Sequence, residues 1–370
     1  MFSDIVILAG GFGERLWPAS KADFPKQFMT LDGGISFLQH SVLRSLALNP
    51  KGKIIIATRL GLETEIAKQC EALLSSQTLP FSLSDEQKQK IVDDILIISE
   101  PCAKHTTAPI LLCSKIVQKL DPSYEHSLLV LTSDHIINPI KAFVNDAQKA
   151  YISACKDHIV TFGIQPYEPS VGYGYILTGQ MEENNPSVFK INQFREKPDQ
   201  KTAEQYIAEG NCRWNSGMYA FTCNFFEKEL EKCSPEVTKA FSNFDDESIP
   251  PTQKIGKINY IKPFDAMIKS YDSVPSIAID KSLAEKTENA YAVLASFNWD
   301  DVGSWDSFEK HCKEKDNNAI FVDSSDCIVY SDIPVALCGV NDVTVVIKNG
   351  KALVMRKGCS NLVREAAKKF

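Results

Sequence analysis

The feature that most constrains this chain is a glycine turn directly after a short apolar run near the amino terminus. Residues 5–8 (Ile-Val-Ile-Leu) predict a buried β-strand. The turn that follows contains three glycines: Gly10, Gly11 and Gly13. Glycines let the backbone turn sharply and present its N–H groups to an anion, and Arg15 and Lys26 add positive charge nearby. Together these features predict a site for a polyphosphate.

Other interpretations of this turn fit less well. The dinucleotide fingerprint G-x-G-x-x-G needs glycine where the chain has Leu16, and its helix would meet Pro18 early. A P-loop needs G-x-x-x-x-G-K-[ST], which does not occur in the sequence. A turn with only a structural role is the remaining alternative, and Arg15 and Lys26 weigh against it.

Composition excludes several classes of protein. A chain of 370 residues that is 44% hydrophobic can bury a large core and is long enough for two domains. The net charge is −7 without a long run of lysines or arginines, so we expect no nucleic-acid partner. No apolar stretch approaches the roughly 20 residues that span a bilayer, and no signal-peptide pattern is present. We therefore expect no membrane partner.

The cysteines predict reduced thiols rather than a metal site. There are 11 of them, and they are scattered without a C-x-x-C pair. None of the 6 histidines pairs with another at metal-ligand spacing. This pattern suits mostly buried thiols in a cytoplasmic protein.

Apolar runs alternate with helical patterns in the first half of the chain. Strands are predicted at residues 4–9, 53–58, 95–99, 127–132 and 158–162. Helices are predicted at residues 62–74, 108–120 and 140–154, and an earlier helix opens on a capping box from Ser36 to Gln39. This alternation predicts a parallel α/β sheet that is covered on both faces and binds its ligand beyond the carboxyl ends of the strands.

The pattern changes after about residue 165. Strands are predicted at residues 172–179, 188–197 and 214–221, followed by a helix near 225–232. The polar stretch 75–90 is interpreted as an exposed insertion. Short apolar runs at residues 319–322, 327–330, 343–347 and 352–355 predict a small β domain. We therefore expect two domains, residues 1–316 and residues 317–370.

Two acidic loops supply candidate metal ligands. Asp134 follows the predicted strand 127–132, which places it at the same edge of the sheet as the glycine turn. Asp301 lies in a second acidic loop, where Asp300 is an alternative ligand and either residue could instead cap a helix over 304–313. Magnesium takes one or two carboxylates and otherwise water and phosphate oxygens, so this pair suits phosphate transfer. A solvated loop residue or helix cap is the plainer alternative for Asp134.

Further polar motifs suit a phosphorylated, hydroxyl-rich ligand. Lys197 can hold a phosphate monoester and Glu196 can accept hydrogen bonds from sugar hydroxyls. A surface ion pair is the favoured interpretation of these two residues taken alone. Asn215 offers an amide, and Gly172 a position where backbone can approach a ligand closely.

Taken in order, these segments resemble the sugar-nucleotide pyrophosphorylases, and most closely the mannose-1-phosphate guanylyltransferase family. The matching segments are GGFGERLWPAS (10–20), PKQF (25–28), TAP (107–109), SDH (133–135), GYGYI (172–176), FREKP (194–198), WNSGM (214–218) and WDDVGSW (299–305). The resemblance covers roughly residues 4–310. The segments at 15–18 and 25–28 distinguish the mannose branch from its glucose and thymidylyl relatives.

The resemblance implies transfer of GMP from GTP to mannose 1-phosphate, with release of pyrophosphate. It implies a Rossmann-like nucleotide-diphospho-sugar transferase domain, Mg²⁺ as the cofactor, and a C-terminal left-handed β-helix. The family often dimerises, so a homodimer is expected. The cupin-type isomerase domain of bifunctional relatives has no counterpart in this sequence, so isomerase activity is not expected.

The family pattern also implies roles for individual residues. Arg15 and Lys26 would bind the GTP phosphates, and Asp134 and Asp301 the metal. Lys197 would hold the sugar phosphate, while Glu196, Asn215 and Gly172 would line the mannose.

The base pocket is the part that departs from the family. The usual Asn-Thr-Ala-Pro-Ala is replaced by Thr-Thr-Ala-Pro-Ile around Thr107. Glu100 is the hypothesised reader of guanine, because one carboxylate can accept hydrogen bonds from N1–H and N2–H₂ together.

Three alternative functions remain. A nucleotidyltransferase for another sugar or base is the nearest, and a non-catalytic regulatory homologue is the second. A nicotinamide dehydrogenase is the third, and Leu16 already weakens it.

Overall fold

A large mixed sheet organises the computed structural model, which describes residues 1–11, 13–30, 34–244, 246–311 and 319–370. Within these residues the sheet has 11 strands. They are β1 (Asp4–Leu8), β2 (Ile54–Arg59), β3 (Ile95–Glu100), β4 (Ser127–Thr132), β6 (Ile159–Ile164), β7 (Tyr175–Met181), β8 (Val188–Arg195), β9 (Cys212–Thr222), β10 (Gln253–Ile255), β11 (Ile258–Ile261) and β12 (Ala290–Leu294). Their order across the sheet is β10-β11-β3-β2-β1-β4-β9-β6-β12-β8-β7. A separate ribbon pairs β5 (Ile136–Asn138) with β13 (Asn298–Asp300).

The predicted α/β class is confirmed, but the expectation of a parallel sheet holds only in part. Strands β11, β3, β2, β1 and β4 run parallel to one another. Strand β9 then inserts antiparallel between β4 and β6, and β8 and β10 are also antiparallel to their neighbours. The predicted strand at 214–221 is therefore central to the sheet.

Helices cover both faces of the sheet. They are α1 (Phe37–Ala47), α2 (Glu63–Ala72), α3 (Asp85–Asp93), α4 (Thr107–Leu120), α5 (Ile140–Ala154), α6 (Gln200–Glu209), α7 (Cys223–Cys233), α8 (Pro235–Ala240) and α9 (Asp265–Ser273). Successive side chains of a strand point to opposite faces. Accordingly Val6 packs in one core cluster with α4, and Ile7 packs in another with α1 and α2.

Two capping boxes show how local sequence starts these helices. The predicted box is confirmed, since the Ser36 hydroxyl accepts from the N–H of Gln39 and the Gln39 side chain accepts from the N–H of Ser36. Ser84 and Gln87 form the same box at the start of α3. Residues 75–90 are mostly exposed or half-buried, as expected, but their second half enters α3, a helix that was not predicted.

The C-terminal residues form a β-helix-like coil, as predicted. The coil consists of β14 (Ala319–Val322), β15 (Ile328–Ser331), β16 (Val335–Cys338), β17 (Val343–Lys348) and β18 (Lys351–Arg356). Strand β14 pairs in parallel with β16, and β15 with β17, so two successive turns stack on each other. The predicted boundary at 316/317 lies outside the described residues.

Short helices join the coil to the rest of the chain. Helix α10 (Trp305–Glu309) precedes the coil and α11 (Val363–Ala367) follows it. The Trp305 indole N–H donates to the carbonyl of Trp17 at 2.9 Å. The Asn349 amide of the coil donates to the carbonyl of Pro18, also at 2.9 Å. The loop after β1 is thus fixed by residues from the opposite end of the chain.

Two further expectations concern the whole chain. Among the described residues, no helix combines the length and the apolar character needed to cross a bilayer. The ten cysteines that the structure describes are all free thiols, as expected, but only four of them are buried: Cys70, Cys113, Cys212 and Cys223. The expectation that the thiols are mostly buried is therefore wrong.

Candidate active site

The candidate site lies at the carboxyl ends of β1 and β4, two neighbouring parallel strands. Strand β1 leads into the glycine turn, and β4 leads into the loop that carries Asp134. The N–H of Ser133 donates to the carbonyl of Leu8 at 3.1 Å, so the two loops start side by side. Asp134 therefore lies at the same edge of the sheet as the glycine turn.

Gly13 holds Lys26 against the glycine turn. Its φ is +65°, in the left-handed region that favours glycine. A Cβ built on Gly13 would lie 2.7 Å from the backbone nitrogen of Lys26, closer than real Cβ contacts. The carbonyl of Gly13 also accepts a hydrogen bond of 2.6 Å from the Ser20 hydroxyl. Only glycine allows the two loop segments to approach this closely.

Lys26 links the two acidic loops that the sequence singled out. Its side chain is almost completely buried. The Nζ atom donates to Asp134 Oδ2 at 2.9 Å and also to the backbone carbonyl of Asp301. The Lys26 ammonium therefore joins the loop after β4 to the loop after β13.

Arg15 approaches the same acidic loop from the glycine turn. A Cβ built on Gly303 would lie 3.1 Å from Asp301 Oδ2 and 3.2 Å from Arg15 Nη1, so the carboxylate and the guanidinium flank one glycine. Gly303 itself donates its N–H to Asp301 Oδ1 at 3.2 Å. These positions bring Arg15 and Asp301 to the wall of one cavity.

This cavity, which we call the phosphate cavity, has a volume of about 410 Å³. Its lining comprises Gly13, Arg15, Leu16, Lys26, Asp134, His135, Asp301, Val302, Gly303 and Arg364. Two cations and two carboxylates that the sequence predicted from distant positions thus meet in one place. A polyphosphate bound here would contact positive side chains and a glycine backbone together.

Charge and burial set the protonation of the groups around Asp134. Burial acts to raise the pKa of Asp134, but Lys26 and His135 outweigh it and hold that pKa below its ordinary value. Burial lowers the pKa of His135 to about 4, so its imidazole is neutral at pH 7. The Trp299 indole N–H donates to His135 Nδ1 at 3.0 Å, which leaves the proton on Nε2. Asp134 is therefore ionised beside a neutral histidine.

The two acidic residues of the second loop have different surroundings. Asp300 accepts hydrogen bonds from the N–H of Val302 at 2.7 Å and from the Ser307 hydroxyl at 2.6 Å, and its Oδ2 lies 2.9 Å from His311 Nε2. Burial alone would raise the pKa of Asp300, but these hydrogen bonds bring it below its usual value. Asp300 thus fixes the loop that leads into α10, while Asp301 lines the phosphate cavity.

The residues expected around the sugar form a second group, centred on Asn215. The Asn215 amide oxygen accepts from the Thr161 hydroxyl, and its NH₂ donates to Asp280 at 2.8 Å and to the Tyr219 hydroxyl at 3.2 Å. Tyr219 in turn donates to Asp280 at 2.7 Å. Burial raises the pKa of Asp280. The amide of Asn215 is therefore held by a buried network.

Glu196 and Lys197 lie beside this network. Their side chains form an ion pair, with the Lys197 side chain exposed and that of Glu196 largely buried. A Cβ built on Gly174 would meet Glu196 Oε2 at 2.6 Å and the Asn215 Cβ at 3.5 Å. Gly174 thus lets the 172–176 segment pack against both residues.

The 172–176 segment connects the two groups of residues. Gly172 is exposed and donates its N–H to the Ser170 hydroxyl at 3.2 Å. The hydroxyl of the next residue, Tyr173, donates to Asp301 Oδ1 at 2.9 Å. One loop therefore joins the expected sugar region to a carboxylate of the phosphate cavity.

Of the two residues expected near the base, Glu100 lies beside the glycine turn. Glu100 ends β3, is 6% exposed, and accepts a hydrogen bond of 3.0 Å from the Tyr271 hydroxyl. A Cβ built on Gly10 would lie 3.3 Å from Glu100 Oε1, while one on Gly11 would meet no atom within 4 Å. Burial raises the pKa of Glu100 to about 8. The Thr107 hydroxyl is fully buried and bonds to the carbonyl of Ile277 and the hydroxyl of Ser282.

Four polar residues at the site were not found by sequence reasoning. Arg44 is buried in α1 and donates to the carbonyl of His135 at 3.1 Å, which supports the loop of Asp134. Asp280 lies in a short π-helix (Asp280–Ala284), Tyr173 bonds to Asp301, and Arg364 comes from α11. Tyr173 lies within a quoted motif and so could have been proposed. The other three are brought in by tertiary contacts that no local pattern predicts.

The donor set of the cavity fits the expected Mg²⁺. Among the described residues, no group of three His, Cys, Asp or Glu side chains is arranged to hold a metal ion alone. Asp134 and Asp301 supply two carboxylates to one cavity. Mg²⁺ is usually bound through one or two carboxylates together with substrate phosphates and water. A site that is completed by the substrate therefore fits these residues.

Comparison with known proteins agrees with this geometry. Residues 4–317 match the family model described as "Nucleotidyl transferase", and residues 317–370 match that of a "MannoseP isomerase/GMP-like beta-helix domain". The chain therefore belongs to the nucleotidyl transferase family.

Individual proteins of known name are similar to this chain over most of its length. A mannose-1-phosphate guanylyltransferase from Salmonella montevideo is 32% identical, over 99% of this chain and 73% of that protein. One from Escherichia coli is 30% identical, over 95% of this chain and 72% of the relative. A Thermus thermophilus crystal structure, described as a mannose-1-phosphate geranyltransferase, superposes with a TM-score of 0.81 at 27% identity, covering 100% of this chain and 99% of its own.

Proposed function

We propose that this protein transfers GMP from GTP to mannose 1-phosphate, giving GDP-mannose and pyrophosphate. One observation carries the proposal: Arg15, Lys26, Asp134 and Asp301 line a single cavity at the carboxyl edge of the sheet. Relatives named mannose-1-phosphate guanylyltransferase, which align with almost the whole chain, support the choice of substrates.

The reaction needs alignment and charge stabilisation rather than a strong base. A phosphate oxygen of the sugar phosphate is already anionic, so it can attack the α-phosphorus in line without losing a proton to the protein. The new bond joins this oxygen to the α-phosphorus, and the bond from the α-phosphorus to the β-phosphate oxygen breaks. Arg15 and Lys26 would stabilise the charge that develops on the departing pyrophosphate.

Asp134 and Asp301 would hold Mg²⁺ beside the phosphates. When bound there, the ion would neutralise phosphate charge and orient the α-phosphate. The protein contributes two ionisable oxygen ligands on separate loops. Lys26 keeps these loops together through Asp134 and the carbonyl of Asp301.

The sugar phosphate would enter from the side of the 172–176 segment. Lys197 would bind its phosphate, and Glu196 would accept hydrogen bonds from the hydroxyl groups of mannose. The Asn215 side chain already makes hydrogen bonds with Thr161, Tyr219 and Asp280, so its role would be to shape this pocket. Gly172 would leave room for the sugar.

Guanine recognition is proposed at Glu100, at the end of β3 beside Gly10. Because burial raises the pKa of Glu100 to about 8, this carboxyl would lose its proton when it accepts hydrogen bonds from both N–H groups on one edge of guanine. The preference for GTP over ATP should therefore fall in Glu100→Gln. An unchanged preference in that variant would remove the assignment.

A pyrophosphate-release assay with a substrate panel tests the proposed function. The four nucleoside triphosphates would each be combined with mannose 1-phosphate and with glucose 1-phosphate, with and without Mg²⁺. We expect release to be fastest with GTP, mannose 1-phosphate and Mg²⁺ together. Faster release with another pair would favour a nucleotidyltransferase of different specificity. No release with any pair would favour a non-catalytic homologue.

The expected cytoplasmic location and homodimer remain proposals. The free thiols are consistent with a reducing compartment. Fractionation of the producing cells would test the location. Sedimentation equilibrium would test the dimer, for which a mass near that of one 41.2 kDa chain would be the contrary result.

A further inference from the structure

A third cation lines the phosphate cavity and comes from the far end of the chain. Arg364 lies on α11 and lines the cavity together with Arg15 and Lys26. We propose that Arg364 binds the triphosphate of the nucleotide and the pyrophosphate product, so that the C-terminal segment completes the active site. This inference rests on the proposed function, because it assigns a further ligand contact to the same cavity.

Helix α10 holds the C-terminal segment in place from one side. The Asp306 carboxylate, on α10, accepts from the N–H of Gly358 at 2.8 Å and from the N–H of Ser360 at 3.4 Å. The N–H of Asp306 donates to the Ser360 hydroxyl at 3.1 Å. Lys357 adds an ion pair with Glu309. The approach to α11 is thus fastened to the helix that follows Asp301.

The glycine turn holds α11 from the other side. Val363 is 1% exposed and packs in one apolar cluster with Leu16 and Trp17. The Phe370 ring lies 5.0 Å from the Trp17 ring. Because Val363 directly precedes Arg364, this packing fixes the start of α11 beside the turn that carries Arg15. The position of Arg364 at the cavity is therefore built by contacts on two sides.

The charge of the expected ligand favours a third cation at this cavity. A triphosphate carries several negative charges, so Arg364 at the cavity wall would add to the attraction that Arg15 and Lys26 exert. Guanidinium groups bind phosphate through two parallel hydrogen bonds. Arg364 is exposed at the cavity wall, so its attraction for phosphate should weaken as salt is added.

The chain offers a matched control on the same helical segment. Lys368 is also exposed, but it lines a neighbouring cleft with Trp17 and Ser20 and does not line the phosphate cavity. The full-length proteins with Arg364→Ala, Arg364→Lys and Lys368→Ala would be compared with wild type. Steady-state kinetics would give KM for GTP and for mannose 1-phosphate, and calorimetry would give the affinity for magnesium pyrophosphate.

We expect Arg364→Ala to raise KM for GTP and to weaken pyrophosphate binding by about 10-fold each, the size of one charge-assisted contact. KM for mannose 1-phosphate and the melting temperature should stay unchanged, and Arg364→Lys should recover part of the loss. Lys368→Ala should match wild type. The difference between Arg364→Ala and wild type should shrink at high salt.

Two results would overturn the inference. One is an Arg364→Ala protein that equals Lys368→Ala in both GTP kinetics and pyrophosphate affinity. The other is a loss shared equally by both substrates together with a lower melting temperature, which indicates a structural role only. A wild-type protein that binds pyrophosphate but makes no GDP-mannose would overturn the proposed function, and calorimetry would still decide on Arg364. A wild-type protein that binds neither GTP nor pyrophosphate would overturn both.

Discussion

At the scale of single residues, the site depends on how the positive charge of the buried Lys26 side chain is balanced. Its ammonium is buried, and a buried charge is costly unless it is paired and hydrogen-bonded. Asp134 and the carbonyl of Asp301 supply that compensation. The sequence predicted Lys26 and Asp134 as separate ligands for phosphate and metal. Their direct ion pair joins residues far apart in the chain, so it could not be predicted.

Gly13 should tolerate no side chain. We expect Gly13→Ala to lower the free energy of unfolding by about 2–5 kcal/mol, because it combines a left-handed backbone with a Cβ that overlaps Lys26. Chemical denaturation would measure the loss. Gly11→Ala is the comparison, because its Cβ meets no atom within 4 Å and its stability should be unchanged. Equal stability of the two variants would contradict this account of the turn.

Glu100 should make stability depend on pH. Its pKa rises from 4.5 in the unfolded chain to about 8 in the fold, so the native state holds a proton that the unfolded state releases between these values. The stability of the wild type should therefore fall through this window as pH rises, relative to Glu100→Gln. Between pH 5 and pH 7, we expect the free energy of unfolding of the wild type to fall by about 2 kcal/mol relative to that of Glu100→Gln. Denaturation curves at both pH values would measure it, and an unchanged difference between the two proteins would refute the assignment.

At the scale of elements, the strands and helices that could be predicted are those whose own residues form a clear pattern. Strands β1 to β4 each contain a continuous apolar run, and the helix after Ser36 carries its own capping box. Helix α3 was missed because it is polar, although Ser84 and Gln87 form the same box. Strands β10 and β11 are short and form one edge of the sheet, so they give a weak signal. Asp280 was missed because β9, far away in sequence, brings its partners Asn215 and Tyr219.

The network around Asn215 should matter for one substrate only. Asp280→Ala removes the acceptor of hydrogen bonds from Asn215 and Tyr219, so the pocket beside Glu196 should lose its shape. A hydrogen bond to a charged group is worth about 1.5–3 kcal/mol, which corresponds to roughly a 10- to 150-fold increase in KM for mannose 1-phosphate. KM for GTP should not change. Kinetics with each substrate varied in turn would measure both KM values. An increase only in KM for GTP would show that this network does not shape the mannose 1-phosphate pocket.

At the scale of the whole molecule, the β-helix-like coil and the loops that line the phosphate cavity share one apolar cluster. This cluster contains Leu16 and Trp17 after β1, Trp305 on α10, and Val346 on β17. It joins three distant parts of the chain around the phosphate cavity. The sequence predicted the coil as an appendage, and its packing against the glycine turn depends on contacts that local patterns do not contain.

Trp305 should contribute strongly to the stability of this apolar cluster. It is 1% exposed, and its indole N–H donates to the carbonyl of Trp17. We expect Trp305→Ala to lower the free energy of unfolding by about 3–5 kcal/mol, because it opens a large cavity and removes this hydrogen bond. Urea denaturation followed by circular dichroism would measure the loss. A change below about 1 kcal/mol, the size of a typical surface effect, would show that the cluster does not hold the molecule together.

We propose that two carboxylates from distant loops, Asp134 and Asp301, act together on one triphosphate. The most direct test is Mg²⁺-dependent pyrophosphate release by wild type, Asp134→Asn, Asp301→Asn and the double variant, with folding checked by circular dichroism. Each single variant should lose at least about 10²-fold in rate, and the double variant should be little worse than either, because groups that act as a unit are not additive. Near-normal rates in the single variants, or losses that multiply in the double variant, would contradict the account.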